Sequence, residues 1–258
     1  MAFNRKNLVI TTSWDDGHPL DFRVADLLAK YGVRGTFYVP LRNSRPTISP
    51  SQIRELSVSF EIGAHTMNHV RLRRLGNSQA RQEIIDCKRQ LEDILGRDCP
   101  VFCFPGGSYS KVHIQMLRDA GFHAARTVEL LSFERPRIAH GLSVIPTTIQ
   151  CYPHRAASYL RNVAKRFNIS GLWNLLHRHT KSWSAFAEVL IERAAVTSGT
   201  FHLWGHSWEI EETAQWEALE RTLAVLAEYK QRAFFATNME LCSNVTKFNG
   251  DPRPTLVS

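Results

Sequence analysis

No stretch of this chain stays apolar for the roughly eighteen residues a membrane-spanning helix needs, so no transmembrane helix is expected. The apolar run Leu8, Val9, Ile10 is too short for the core of a secretory leader, and the first chemically distinctive residues already stand near position 13. A cytoplasmic location is the expectation from those two facts. Cysteine is sparse and unpatterned: Cys87, Cys99, Cys103, Cys151 and Cys242 are odd in number and form no CxxC pair. That argues against a disulfide framework and against a structural zinc cluster, leaving reduced, buried thiols. Internal repeats and low-complexity tracts are absent, which removes solenoids and fibrous arrays. Acidic residues are missing altogether from Arg135 to Ala187, whereas Arg135, Arg137, Arg155, Arg161, Lys165, Arg166, Arg178 and Lys181 lie inside that stretch.

The chain has 258 residues, enough for one large domain with a substantial core, and 43% of them are hydrophobic. Its net charge of +8 comes from the acid-free segment, the remainder being near neutral. Such a segment is either a solvated helical face or a landing site for phosphate, an anionic membrane surface or nucleic acid. Hydrophobic periodicity predicts strands over 8–13, 35–39, 60–64, 101–104, 122–127, 199–204 and 233–237, with 143–149 extended. Between them it predicts helices over 21–30, 50–56 with Ser49 as N-cap, 78–95, 112–120, 155–167, 172–179, 184–196 and 211–229. This alternation points to an α/β fold with a parallel sheet. Residues 1–243 are read as one domain and 244–258 as a polar C-terminal tail.

Chemistry-bearing residues gather just past predicted strand ends, where a (β/α) barrel builds its site from separate loops. Asp15 and Asp16 close the first strand before Gly17, and adjacent carboxylates at an apolar strand end are costly unless a cation sits between them. One could ligate a divalent ion while the other accepts a proton from water; the plainer reading is a helix cap, for which Asp21 is the better residue. His65 and His69, four apart, would share one side of a helical turn and could present two imidazoles to the same ion. Pro105, Gly106 and Gly107 form either an ordinary strand-ending turn or a place where backbone N–H groups approach an oxyanion. In Trp204-Gly205-His206-Ser207-Trp208, a histidine between two indoles suits a general acid in a sugar or acyl pocket, while His202 reads as a core histidine.

Taken in this order, the four pieces resemble the polysaccharide deacetylase (NodB-homology) family, the family 4 carbohydrate esterases. WDDG is similar to that family's first motif and HTMNH to its second, FCFPGG to its third and LWGH to its fifth, across roughly residues 10–210. The resemblance implies an irregular (β/α)7 barrel, single domain, that hydrolyses an N-acetyl amide with one divalent metal ion. Zinc is the first expectation for that ion, with cobalt, nickel or manganese as alternatives. It implies Asp15 as catalytic base, Asp16, His65 and His69 as metal ligands, and His206 as the acid that protonates the leaving amine. The Gly106 N–H would help hold the oxyanion, and Pro105, Gly106, Trp204 and Arg126 would line the substrate site. Two departures stand out: the family's arginine partner of the base is replaced by Cys103, and the motif whose Asp and Trp support the catalytic histidine has no match. Arg126, at a predicted strand end, is the candidate to supply the missing cation.

The functional expectation is therefore a metal-dependent carbohydrate N-deacetylase. A non-catalytic carbohydrate-binding protein on a decayed barrel is the alternative. Nucleic acid is not an expected partner, since basic charge alone carries no recognition motif. A cytoplasmic enzyme would meet a nucleotide- or lipid-linked N-acetylated sugar more readily than mature wall polymer. Arg161, Lys165 and Arg166 would draw in such a substrate or an anionic membrane surface.

Overall fold

The computed structural model describes residues 8–154, 156–166 and 182–248. Ten strands are seen among them: β1 (Leu8–Asp15), β2 (Thr36–Val39), β3 (Glu61–Ala64), β4 (Val101–Cys103), β5 (Ala124–Arg126), β6 (Arg137–Ala139), β7 (Leu142–Ile145), β8 (Ile149–Gln150), β9 (Thr200–Gly205) and β10 (Ala233–Ala236). They form one curled sheet in the order β6-β7-β5-β4-β3-β2-β1-β9-β8, with β10 also paired to β1. Every pairing is parallel except β6 with β7. The segment from β7 to β8 bends from β5 across to β9, so the path returns to β1 as an irregular barrel.

Helices cover the outside. Pro50–Leu56 starts at Ser49, whose hydroxyl accepts from the Gln52 N–H while the Gln52 side chain accepts from the Ser49 N–H. The helix predicted over 211–229 is two: Ser207–Glu212 and Trp216–Ala227, parted at Ala214 with φ +52°. The break turns Gln215 to accept from the Trp183 indole, and it lets the first piece begin at Ser207, beside the site. The helix Asn238–Phe248 runs past residue 243, where the sequence reading sets its tail, and puts Leu241 and Cys242 among the barrel's interior residues. Of the basic helices, Ala156–Arg166 is present; the one predicted over 172–179 lies outside the described residues. Arg161 is exposed, and the side chains of Lys165 and Arg166 are outside what is described. No described helix is long and apolar enough to cross a membrane.

Strand periodicity sorts the barrel. Leu8, Ile10 and Trp14 of β1 join the large core under the helices, while Val9 faces inward with Tyr38, Val101, Cys103, Ala124 and Ile145. Thr11, Thr12 and Ser13 are fully buried mid-strand, and each is satisfied: Thr11 donates to Asn238 Oδ1, Thr12 to the Arg34 carbonyl, and Ser13 bonds His202 Nε2 at 2.8 Å. His202 is thereby the core histidine its position suggests. Its Nδ1 donates to the Pro146 carbonyl, and burial, with Arg126 nearby, pushes its pKa down to about 3. Continuing the inward row Val9, Thr11, Ser13 leads to Asp15 at the C-terminal rim.

Candidate active site

Asp15 ends β1 and Asp16 follows it in a left-handed conformation, φ +81°. Gly17, φ +58°, is required next, because a Cβ there would stand 2.8 Å from Val39 Cγ1. This turn sends the two carboxylates to different partners. Asp16 Oδ1 lies 2.9 Å from His69 Nε2 and 3.5 Å from His65 Nε2. His65 arrives at the end of β3 and donates from Nδ1 to the Cys103 carbonyl at 2.8 Å, which leaves its Nε2 lone pair facing Asp16.

The helical turn expected for His65–His69 is absent. The segment is an irregular loop in which Thr66 (φ +63°) and His69 (φ +51°) are left-handed, so the two rings converge by backbone reversal rather than by helical pitch. Non-glycine residues hold such angles only where surrounding contacts over-determine them. Here Thr66 Oγ1 accepts from the Val70 N–H, and Glu83 accepts from both the Asn68 N–H and its side-chain amide.

Asp15 is held by Arg126. Register places Cys103 of β4 directly beside Arg126 of β5, so the guanidinium reaches over the short thiol and its Nη2 donates to Asp15 Oδ1. The Cys103 thiol meets Asp15 Oδ2 at 3.7 Å. Arg126 is fully buried, its guanidinium carbon 4.6 Å from the Trp204 ring and 5.4 Å from that of Tyr38. The substrate-lining place expected for Arg126 is corrected accordingly: the side chain sits behind Asp15 and has no exposed surface to offer a ligand. Trp204 is itself 6% exposed and serves mainly as its wall. Burial pushes the Asp15 carboxyl up, and Arg126, with His65 and His206, outweighs this and holds its pKa below the ordinary value. For Asp16, burial is likewise outweighed by the facing imidazoles of His65 and His69, with His206, leaving it strongly acidic.

His206 follows β9. Its Nε2 lies 4.0 Å from Asp15 Oδ2, and its Nδ1 donates to Glu209 Oε2 at 2.6 Å. Burial alone would lower its pKa; the Glu209 bond and Asp15 reverse this and raise it to about 9. Glu209 is the supporting acid for which the sequence offered no match, and Gln150 steadies it with an amide N–H at 2.8 Å. Its signal was the i,i+3 spacing from His206. Trp208, flagged only as an apolar neighbour, donates its indole N–H to Asp16 Oδ2 at 2.8 Å. Asp21 caps no helix; it is buried and accepts from the Ser207 hydroxyl at 2.6 Å, tying the helix of residues 207–212 to β1's exit. Burial, opposed in part by that Ser207 bond, raises the Asp21 pKa well above the carboxylate norm. Pro105 is buried, and Gly106 and Gly107 are left-handed at φ +59° and +62°. Gly107 admits no side chain, since a Cβ there would lie 2.1 Å from Val128 Cγ2.

Asp16, His65 and His69 thus offer three ligand atoms within 4.8 Å of one another, and the buried Asp16 Oδ1 accepts no hydrogen bond from the described residues. A buried carboxylate oxygen facing two imidazole nitrogens is a donor set that fits a divalent transition-metal ion.

Residues 3–125 match the family model described as polysaccharide deacetylase. A peptidoglycan-N-acetylglucosamine deacetylase of Bacillus cereus is 28% identical over 117 residues, 44% of this chain and 54% of that protein, so the match spans about half of that relative's length. Among solved structures, a Mycobacterium smegmatis protein described as a polysaccharide deacetylase superposes with a TM-score of 0.71 at 14% identity, over 100% of this chain and 97% of its own. Puue allantoinase superposes with a TM-score of 0.69 at 11% identity, over 97% and 94% of the two chains, which at this identity is a likeness of fold. Residues 3–125 thus match the polysaccharide deacetylase family model, and the barrel seen in that Mycobacterium smegmatis protein runs through the rest of the chain.

Proposed function

We propose that this protein is a metal-dependent hydrolase that removes the acetyl group from an N-acetylated amino sugar. The observation that carries the reading is the opposite tuning of two groups 4.0 Å apart: Asp15 is held ionised by Arg126, while His206 is held protonated to about pH 9 beside Glu209. Pairs pushed apart in this way make an acid and a base available at one pH. Asp16, His65 and His69 would hold the cation, zinc first among the candidates. When bound, a divalent ion supplies Lewis acidity to the amide carbonyl and makes water acidic enough to attack near neutral pH. Asp15 then takes the proton of the attacking water, and His206 delivers a proton to the departing sugar amine. The Gly106 N–H would hold the amide oxygen as it gains charge.

Among substrates, a nucleotide- or lipid-linked sugar is the finer proposal; its support is the acid-free segment of the sequence, most of whose cations lie outside the described side chains. The test is acetate release by the zinc-loaded protein from chitin and peptidoglycan fragments and from nucleotide- and lipid-linked N-acetyl sugars, with allantoin as a control. Acetate from any sugar supports the reading. Sugar binding without turnover would instead favour the non-catalytic alternative, and turnover of allantoin alone would reassign the substrate class.

A further inference from the structure

We infer that Trp208 is a positioning residue for the metal site, its indole N–H fixing Asp16 so that Oδ1 rather than Oδ2 meets the ion. The inference rests on the assignment of Asp16, His65 and His69 as ligands. The two oxygens of Asp16 have separate surroundings: Oδ1 faces the two imidazoles, and Oδ2 accepts from Trp208 Nε1 at 2.8 Å. A carboxylate free to rotate could exchange its oxygens or chelate through both. A fixed donor on one of them selects a single-oxygen ligand and takes the rotational freedom out before the ion arrives.

The indole is itself held. Arg45 stacks on it with the guanidinium carbon 3.5 Å from the ring centroid, and the same guanidinium pairs with Glu212 at 2.8 Å, one helical turn along. Ser207, the preceding residue, is tied to buried Asp21. The short helix Ser207–Glu212 therefore serves both carboxylates of the site: His206 at its cap faces Asp15, and Trp208 in its first turn holds Asp16. The sequence links the two functions within three residues.

The experiment is calorimetric titration of Zn²⁺ into the metal-stripped, full-length protein. Trp208→Phe keeps an aromatic ring for Arg45 and deletes the N–H together with part of the indole. Loss of an outer donor to a metal ligand is expected to weaken zinc binding about 10–100-fold. Arg45→Gln, which leaves the N–H in place, should weaken it by less than Trp208→Phe does. Parent-like affinity in Trp208→Phe overturns the inference. If Asp16→Asn also binds zinc like the parent, the ligand assignment beneath it has failed instead. Should Trp208→Phe not fold, ¹⁵N spectra of the parent decide the question. A Trp208 indole resonance that is slow to exchange with solvent and shifts on zinc addition supports the role; one that exchanges freely and does not move overturns it.

Discussion

Replacing Arg126 by Met removes the cation that holds Asp15 and leaves a carboxylate of 4% side-chain exposure facing the Cys103 thiol, with His206 4.0 Å away. Breaking one side of a buried ion pair costs about 3–5 kcal/mol, because the surviving charge stays desolvated. At ~2–4 °C per kcal/mol for a domain of this size, the metal-free protein should lose roughly 6–20 °C of Tm at pH 7. The loss should depend on pH in a fixed direction. In the parent the folded Asp15 pKa lies below the unfolded one, so its contribution is present above about pH 4 and disappears as pH falls through the folded value. In the variant burial is opposed only by His65 and His206, so the folded pKa rises and the stability that Asp15 contributes above about pH 4 is diminished. The Tm gap between the two proteins should therefore narrow toward pH 4 in a differential-scanning experiment. Moving the cation back across the register pair, as Cys103→Arg with Arg126→Cys, should recover much of the loss. A Tm gap independent of pH, or a double variant no better than Arg126→Met, would refute the assignment of Arg126 as partner of the base.

Two further outcomes concern the reacting groups. Asp15→Asn should keep zinc affinity near that of the parent while lowering kcat on the order of 10²–10⁴-fold, as removal of a general base does; loss of metal instead would mean that the roles of Asp15 and Asp16 are reversed. Glu209→Gln should bring the alkaline limb of the rate profile down from near pH 9 toward the ordinary histidine range, because His206 must be protonated to act and Glu209 is what keeps it so. An alkaline limb that does not move would separate Glu209 from the proton-delivery step.

Much of the fold was legible because parallel strands buried on both faces read as short apolar runs closed by turn residues, and the site residues stood at their ends. Asp15, Asp16, His65, His69 and His206 come together at one rim as that pattern implies. What was not legible depended on register or on backbone reversal. Arg126 could be named as a candidate from its strand end, but its reach to Asp15 needed β4 and β5 aligned so that Cys103 stands beside it. The four-residue spacing of His65 and His69 suggested a helical turn, and only the left-handed angles at Thr66 and His69 show another route to the same convergence. The hairpin of β6 and β7 turns at His140-Gly141, both left-handed, a two-residue signal hidden inside a segment dominated by its charge. The helix 207–212 was absorbed into its longer neighbour's periodicity, which concealed the parts played by Trp208 and Glu209.

The most direct test of the central claim is acetate release from an N-acetylated sugar oligomer by chelator-stripped protein as zinc is restored. The parent should be inactive when stripped and recover in proportion to about one bound ion per chain, whereas His65→Ala and His69→Ala should neither retain zinc nor regain activity, each having lost one of three protein ligands. Full activity in the stripped parent, or parent-like zinc content in either histidine variant, would contradict it.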